Sequence, residues 1–344
     1  MIGRLITQNR AFSGALALFA ALFVTYNLLH PRGFSSAVFV QNANEAVAIA
    51  FVAMAQTVPV LMRGLDLSVG AVMTLSACVA SYLLTGSGLE ISMGILAVLA
   101  TGTAFGLVNG LIVVHGRLQP IIATLATGAI AIGLALILRP QPGGNVDGDL
   151  SWAMTNTVWD LADTYGIAGG GEAWWIRPFA GIPVPLILLF GVAALVWLPF
   201  KRTVTGRTVY AIGSAEGAAY VSGLPINRAK LAAFTMAGFF SACAGLYLAL
   251  QTSTGNADTV QAGAYTLNSI AAVVLGGTAL AGGIGGAIAS IVGALILRVI
   301  SFYFRILDIE PLLQPLIEGV VLLLAVSAGA WRTFAVKNRL ELFR

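Results

Sequence analysis

The side chains able to do chemistry in this chain are few, and they lie within or beside long apolar runs. Asp66 and Ser68 stand in the stretch MRGLDLSVG (62–70), between two such runs. Gln56 and Thr57 precede them; Asn109 follows, and then Thr124 and Thr127, one helical turn apart. Further on come Asn268, Ser269 and Thr278, and finally Gln314 and Glu318, four residues apart. A polar group inside a membrane is costly, so each needs a reason to be there. Taken singly, such residues more often make a hydrogen bond between helices than touch a ligand. As a set they supply hydroxyls and amides with few fixed charges. A path for a polar, uncharged solute needs that composition, and Asp66, Ser68, Asn109, Thr124 and Asn268 are the candidate path residues.

Other chemistries lack their parts. There is no GxxxxGK[ST] stretch, no HExxH and no CxxC, and the chain has two histidines, His30 and His115. The glycine cluster LGGTALAGGIGGA (275–287) lacks the lysine of a phosphate cradle and reads as close helix packing or a helix break. Cys78 and Cys243 both lie in apolar runs, which fits packing rather than a disulfide or a metal site. No cofactor, metal or nucleic-acid partner is expected, and no catalytic cluster supports an enzyme.

The elements that must position the polar set are membrane spans. The 344 residues are 58% hydrophobic and 9% charged, against about 25% charged in a soluble domain. The mean hydropathy is +0.91. The chain is therefore expected to be an all-α integral membrane protein, a single transmembrane domain over 1–344, whose forty glycines suit close helix packing. Runs long enough to cross predict about ten spans: 12–29, 46–62, 68–85, 91–114, 120–138, 183–199, 231–250, 268–281, 284–303 and 311–330. The eighth is short and glycine-rich, as a broken helix would be. Arg4 and Arg10 precede the first run without a small-residue cleavage site after it, which reads as a retained first helix.

Charge sets the orientation. With the N-terminus in the cytoplasm, that side receives Arg4, Arg10, Arg63, Arg117, Lys201, Arg202, Arg207, Arg228, Lys230, Arg332, Lys337, Arg339 and Arg344, which is 13 of the 18 basic residues. The bias of Lys and Arg toward the inside is the determinant of topology, so both termini are expected in the cytoplasm. The external loop 139–182 is acidic and carries Trp152, Trp159, Trp174 and Trp175, as a cap lying at the bilayer edge or a docking surface would. The internal loop 200–230 holds a short helix: Ser214 is a candidate N-cap, Glu216 falls in the first turn, and Gly223 with Pro225 ends it. Such a protrusion suits a protein partner. In MRGLDLSVG itself, Asp66 or Ser68 can cap the following helix, Gly64 and Gly70 permit a tight turn, and Arg63 fits the cytoplasmic face.

Four ordered stretches resemble one family, the membrane permease subunits of bacterial ABC sugar importers of the ribose type. They are GLDLSVGA (64–71), NGLIVVHGRLQPIIATLAT (109–127), YAIGSAEGAAYVSGLPINRAK (210–230) and IAAVVLGGTALAGGIGG (270–286). The resemblance runs over about 40–330. It departs at Ala215, where the family usually has asparagine, and at Asn268, where it usually has an acidic residue shortly before the motif. The resemblance implies an inner-membrane subunit that pairs with a second permease subunit, docks a cytoplasmic ATPase that holds ATP–Mg, and receives solute from a periplasmic binding protein. It also implies that Glu216, Ala218, Ala219 and Gly223 form the ATPase contact, with 200–230 as the coupling loop and 139–182 as the periplasmic one. The substrate implied is a monosaccharide or polyol. Branched-chain amino acids and signal sugars are the runners-up within the family, and a stand-alone ion-coupled carrier is the competing class.

Overall fold

The computed structural model describes residues 10–167 and 174–310, together with isolated positions between 313 and 327. Most of the tenth predicted span, including Gln314 and Glu318, and both chain ends lie outside the described residues. What is described is helical, with no strand among the described residues. We label the helices α1 (Arg10–Leu29), α2 (Ser36–Leu61), α3 (Val69–Leu83), α4 (Gly88–His115), α5 (Pro120–Leu138), α6 (Gly148–Thr155), α7 (Val158–Thr164), α8 (Val184–Arg202), α9 (Val204–Val221), α10 (Ile226–Thr252), α11 (Thr259–Leu275) and α12 (Ala287–Ile306). Seven of them are long and apolar enough to cross a membrane: α1, α2, α4, α5, α8, α10 and α12; α3 and α11 are shorter and apolar.

Local chemistry sets the boundaries. Ser87 and Glu90 form a capping box at the start of α4, and Thr157 and Asp160 do the same for α7. Pro120 opens α5 at a position where its missing N–H costs nothing. The Asp258 carboxylate accepts from the Val260 and Gln261 amides and starts α11 there.

Two predicted spans shift as a result. The eighth begins at Thr259 rather than at 268, because the cap at Asp258 lies outside the apolar run. Asn268 therefore sits mid-helix, and 276–286 is a glycine loop rather than the end of a span. The second begins at Ser36 rather than 46, and so contains Glu45. That carboxylate is tolerable inside a helix because Arg298 and Arg305 of α12 both bind it, Arg305 through Nη1 at 2.8 Å and Nη2 at 2.6 Å.

Helix α2 is the centre of the bundle. Nearly every residue from Ala46 to Leu61 is buried, against α8, α10, α11 and α12. The most extensive packing is α4 on α10. A Cβ on Gly106 would meet the Phe234 carbonyl at 2.3 Å, and one on Gly238 would meet the Gly102 carbonyl at 2.1 Å. Glycine at these positions lets the two backbones touch, as small residues do between helices in lipid, where apolar burial supplies no drive.

Contacts sort the connections into two ends. Residues 84–87, 139–167 and 253–258 meet at one: Asp147 N–H donates to Leu84, Val146 N–H to Ser253, and Gly143 pairs with Gly255. Residues 62–68, 209–215 and 276–286 meet at the other, which is the basic, cytoplasmic end by charge.

Candidate functional site

Asp66, Ser68, Asn109 and Thr124, spread over 59 positions of sequence, come together in one buried cluster. The Asp66 carboxylate accepts from the Ser68 amide at 2.9 Å and from its hydroxyl at 2.5 Å. Asn109 of α4 donates to the Ser68 hydroxyl at 2.9 Å. Thr127 of α5, a residue the motif alone does not single out as a site, donates to the Asn109 carbonyl oxygen. Thr124, a turn earlier, accepts from the Leu67 amide at 3.0 Å. All five side chains are under 5% exposed. Burial pushes the Asp66 carboxyl above the usual carboxylate range, and the bonds from Ser68 and Asn109 oppose this.

The cluster ties the start of α3 to α4 and α5. Its donors and acceptors are spent on each other, so in this conformation it is a knot between helices. Neither Asp66 nor Ser68 caps α3 by the expected side-chain bond to the first-turn amides. Asp66 instead builds a turn of its own onto Ser68. Asn268 does not join: it is half-buried on α11, while Thr266, two residues earlier, faces α3 and accepts from the Gly70 amide at 3.1 Å.

A second polar group lies deeper on α2. Thr57 donates to Ser290 of α12 at 2.6 Å, and Thr278 of the glycine loop accepts from the Gly286 amide at 3.2 Å. These bonds pin the loop 276–286 beneath α2. Gln56 beside them is fully buried, and its side-chain amide has no hydrogen-bond partner among the described residues.

At the cytoplasmic end α9 is not one straight helix. Ala215 has φ −161° and ψ 97°, an extended conformation that breaks the helix and sets off a last stretch, Glu216 to Val221. Extended backbone is what an N-cap position requires, so Ala215, not Ser214, begins the short helix. The Ser214 hydroxyl donates backwards to the Tyr210 carbonyl. The predicted stop holds. Gly223 takes φ +73°, its amide donates to Tyr220, and the Leu224 amide donates to Ala219, the paired bonds of a Schellman turn that a glycine makes at low cost.

Of the expected contact residues, Glu216, Ala218 and Gly223 are exposed. Ala219 is buried and packs into the core, so it supports the protrusion from beneath. The outer face carries two residues that sequence reasoning missed, Tyr220 at 75% and Val221 at 86% exposed. Glu216 pairs with Lys230 at 2.6 Å, both partly exposed.

Arg63 joins the protrusion to the bundle. Its Nε donates to the carbonyls of Gly213 at 2.7 Å and Ala281 at 2.8 Å, and Nη2 donates to Ser214 at 2.9 Å. Arg63 itself has φ +63°, which costs a non-glycine residue about 1–2 kcal/mol. The exposed guanidinium's charge-assisted hydrogen bonds to three carbonyls oppose that cost. Nothing in the sequence near Arg63 reveals these partners, which lie some 150 and 218 positions away.

On the outer face a cavity of about 620 Å³ opens between α2, α7 and the end of α10. Its lining includes Gln41, Asn44, Glu45, Asn156, Asp160 and Gln251. The four tryptophans of the outer loop are partly or well exposed, Trp174 most of all at 84%. The loop itself is fastened down: Ser151 donates to the Leu250 carbonyl and Asn44 to that of Thr155 at 2.8 Å. Its residues 143–157 thus form a cap over the outer ends of α2, α3 and α10.

Residues 38–326 match the family model described as branched-chain amino acid transport system / permease component. The ribose import permease protein RbsC of Haemophilus influenzae is 33% identical over 327 residues, covering 95% of this chain and 94% of that protein. The protein of the same name from Bacillus subtilis is 34% identical over 307 residues, 89% of this chain and 88% of its own. The L-arabinose ABC transporter permease protein AraH of Azospirillum brasilense is 31% identical over 321 residues, 93% and 88%. No solved structure matches the chain.

Proposed function

We propose, because the chain belongs to the family of branched-chain amino acid transport system / permease components, that it is the membrane-spanning subunit of an ATP-driven importer of a monosaccharide across the inner membrane. The observation that carries this reading is the likeness, over nearly the whole length, to permeases named for ribose and arabinose. The buried polar groups support a sugar over an amino acid. A zwitterion needs free opposite charges in its path, and among the described residues the buried carboxylates are spent on protein partners, Glu45 on Arg298 and Arg305 and Asp66 on Ser68. The other buried polar groups around them are hydroxyls and amides, which suit a polyol.

In this reading the chain holds no nucleotide and catalyses nothing. ATP and Mg²⁺ bind a partner ATPase that grips the protrusion through Glu216, Ala218, Tyr220 and Val221, with Gly223 setting its end. A second permease subunit completes the channel, and a periplasmic binding protein meets the outer cap. The knot of Asp66, Ser68, Asn109 and Thr124 fixes one wall of the path, and Asn268 borders it on α11.

Co-purification in mild detergent tests the partner. The intact chain is expected to retain its ABC ATPase. The doubly substituted chain, Glu216→Ala with Gly223→Pro, is expected to insert and lose it. An intact chain that holds no ATPase removes the proposal.

A further inference from the structure

Three segments far apart in sequence converge at the cytoplasmic end, and Arg63 is where they meet. We propose that Arg63 is the positioning residue that carries movement of the protrusion into the membrane-embedded helices, an inference that rests on the importer reading above.

The two carbonyls of α9 that Arg63 holds, Gly213 and Ser214, are the last before the break at Ala215. A force on Glu216–Val221 acts first on that break. The third carbonyl, Ala281, belongs to the glycine loop 276–286, which leads directly into α12. The Gly283 amide donates to the Leu61 carbonyl at the end of α2, at 2.9 Å. Tyr210 of α9 donates to the Gly285 carbonyl at 2.9 Å. One guanidinium and two further bonds therefore lock α2, α9 and the entry to α12 to each other.

The lock has no slack. A Cβ on Gly213 would lie 1.9 Å from the Leu61 carbonyl, and one on Gly282 would lie 2.7 Å from Cγ of Arg63. This accounts for the glycine cluster that has no phosphate to bind: it lets three backbones and an arginine stem occupy one small space. Close-packed contacts of this kind transmit displacement rather than absorb it. Three residues beyond Arg63 stands Asp66, whose cluster grips α3, α4 and α5. A shift of the protrusion thus reaches the α2–α3 turn through a rigid fork, and the turn moves the helices anchored on Asp66. Lysine is a poor substitute, because it has no Nε–H to share between the Gly213 and Ala281 carbonyls while a second, coplanar nitrogen reaches Ser214.

The experiment uses the full chain in complex with its ABC ATPase. Both native cysteines are buried, so after their replacement by serine, spin labels can be placed at two exposed outer-end positions, Leu29 and Leu89. The distance between them is read with and without ATP and vanadate. In the otherwise native chain a shift of about 2 Å or more is expected. Arg63→Gln is expected to retain the ATPase in full yet abolish that shift. Arg63→Lys is expected to show less than half of it, and serves as the test if the glutamine variant does not insert.

An unchanged outer shift in the Arg63 variants overturns the proposal. So does loss of the ATPase in parallel with the shift, since Arg63 would then only support the docking surface. An ATPase-bound native chain with no outer shift also overturns it. A native chain that binds no ATPase fails earlier, at the importer reading itself.

Discussion

The knot at Asp66 and the protrusion at 216–221 are both built from short polar stretches next to glycine, yet they differ in what their groups are spent on. In the knot, five side chains bond to each other and to local backbone, and each is under 5% exposed. Unmade bonds there are expensive, because water cannot replace them. In the protrusion, Glu216 alone has a side-chain partner among the described residues, and Tyr220 and Val221 are exposed. A stable fold gains nothing from those exposed apolar groups, and a partner surface does. The comparison teaches that rigidity and recognition are separated in space, with Arg63 between them.

Substitutions can break this contrast, and the most damaging lies in the packing that supports the knot. Gly238→Val sets a branched side chain against a carbonyl that a bare Cβ would already meet at 2.1 Å. Prying α10 from α4 is expected to abolish a monodisperse detergent peak in size-exclusion chromatography. Asp66→Ala is next. It leaves the Ser68 amide and hydroxyl without their acceptor, and at about 1–3 kcal/mol for each buried unpaired group a clear fall in detergent melting temperature follows. Asp66→Asn keeps an acceptor oxygen and is expected to recover most of that loss.

The protrusion should behave in the opposite way. Tyr220→Ala with Val221→Ala is expected to leave the melting temperature within the range of about 0.5 kcal/mol typical of surface changes, while ATPase retention in pull-down falls about tenfold. The smallest effect belongs to Glu216→Gln. Its ion pair with Lys230 is partly exposed, and such pairs contribute about 0–1 kcal/mol. Calorimetry is expected to detect little change. If Tyr220 and Val221 prove essential for folding, or Asp66 dispensable, the division between the two regions fails.

Much of this organisation is legible in sequence because its causes are local. The apolar runs give the spans, and Gly223 with Pro225 gives the end of the protrusion. The residue types at Asp66, Ser68, Asn109 and Thr124 single out the knot, although their bonding to one another does not follow from spacing. What stays hidden is long-range. Glu45 reads as a span boundary until Arg298 and Arg305 are seen to neutralise it from α12. The start of α11 is hidden because Asp258 caps it ahead of the apolar stretch. The break at Ala215 has no signature in an alanine, and the long-range contacts beside it, Arg63 on the Gly213 and Ser214 carbonyls and Gly213 against Leu61, do not follow from local sequence. Asn268 has the right chemistry for the knot and the wrong helix face.

The central claim is that ATP hydrolysis by a docked partner moves a sugar through this chain. The most direct measurement is uptake of labelled ribose and arabinose into proteoliposomes that contain this chain, its ATPase and the cognate binding protein. The account predicts accumulation of at least one sugar that requires ATP and binding protein and is unaffected by collapsing proton and sodium gradients. Uptake by the chain alone, driven by an ion gradient and indifferent to ATP, would contradict it.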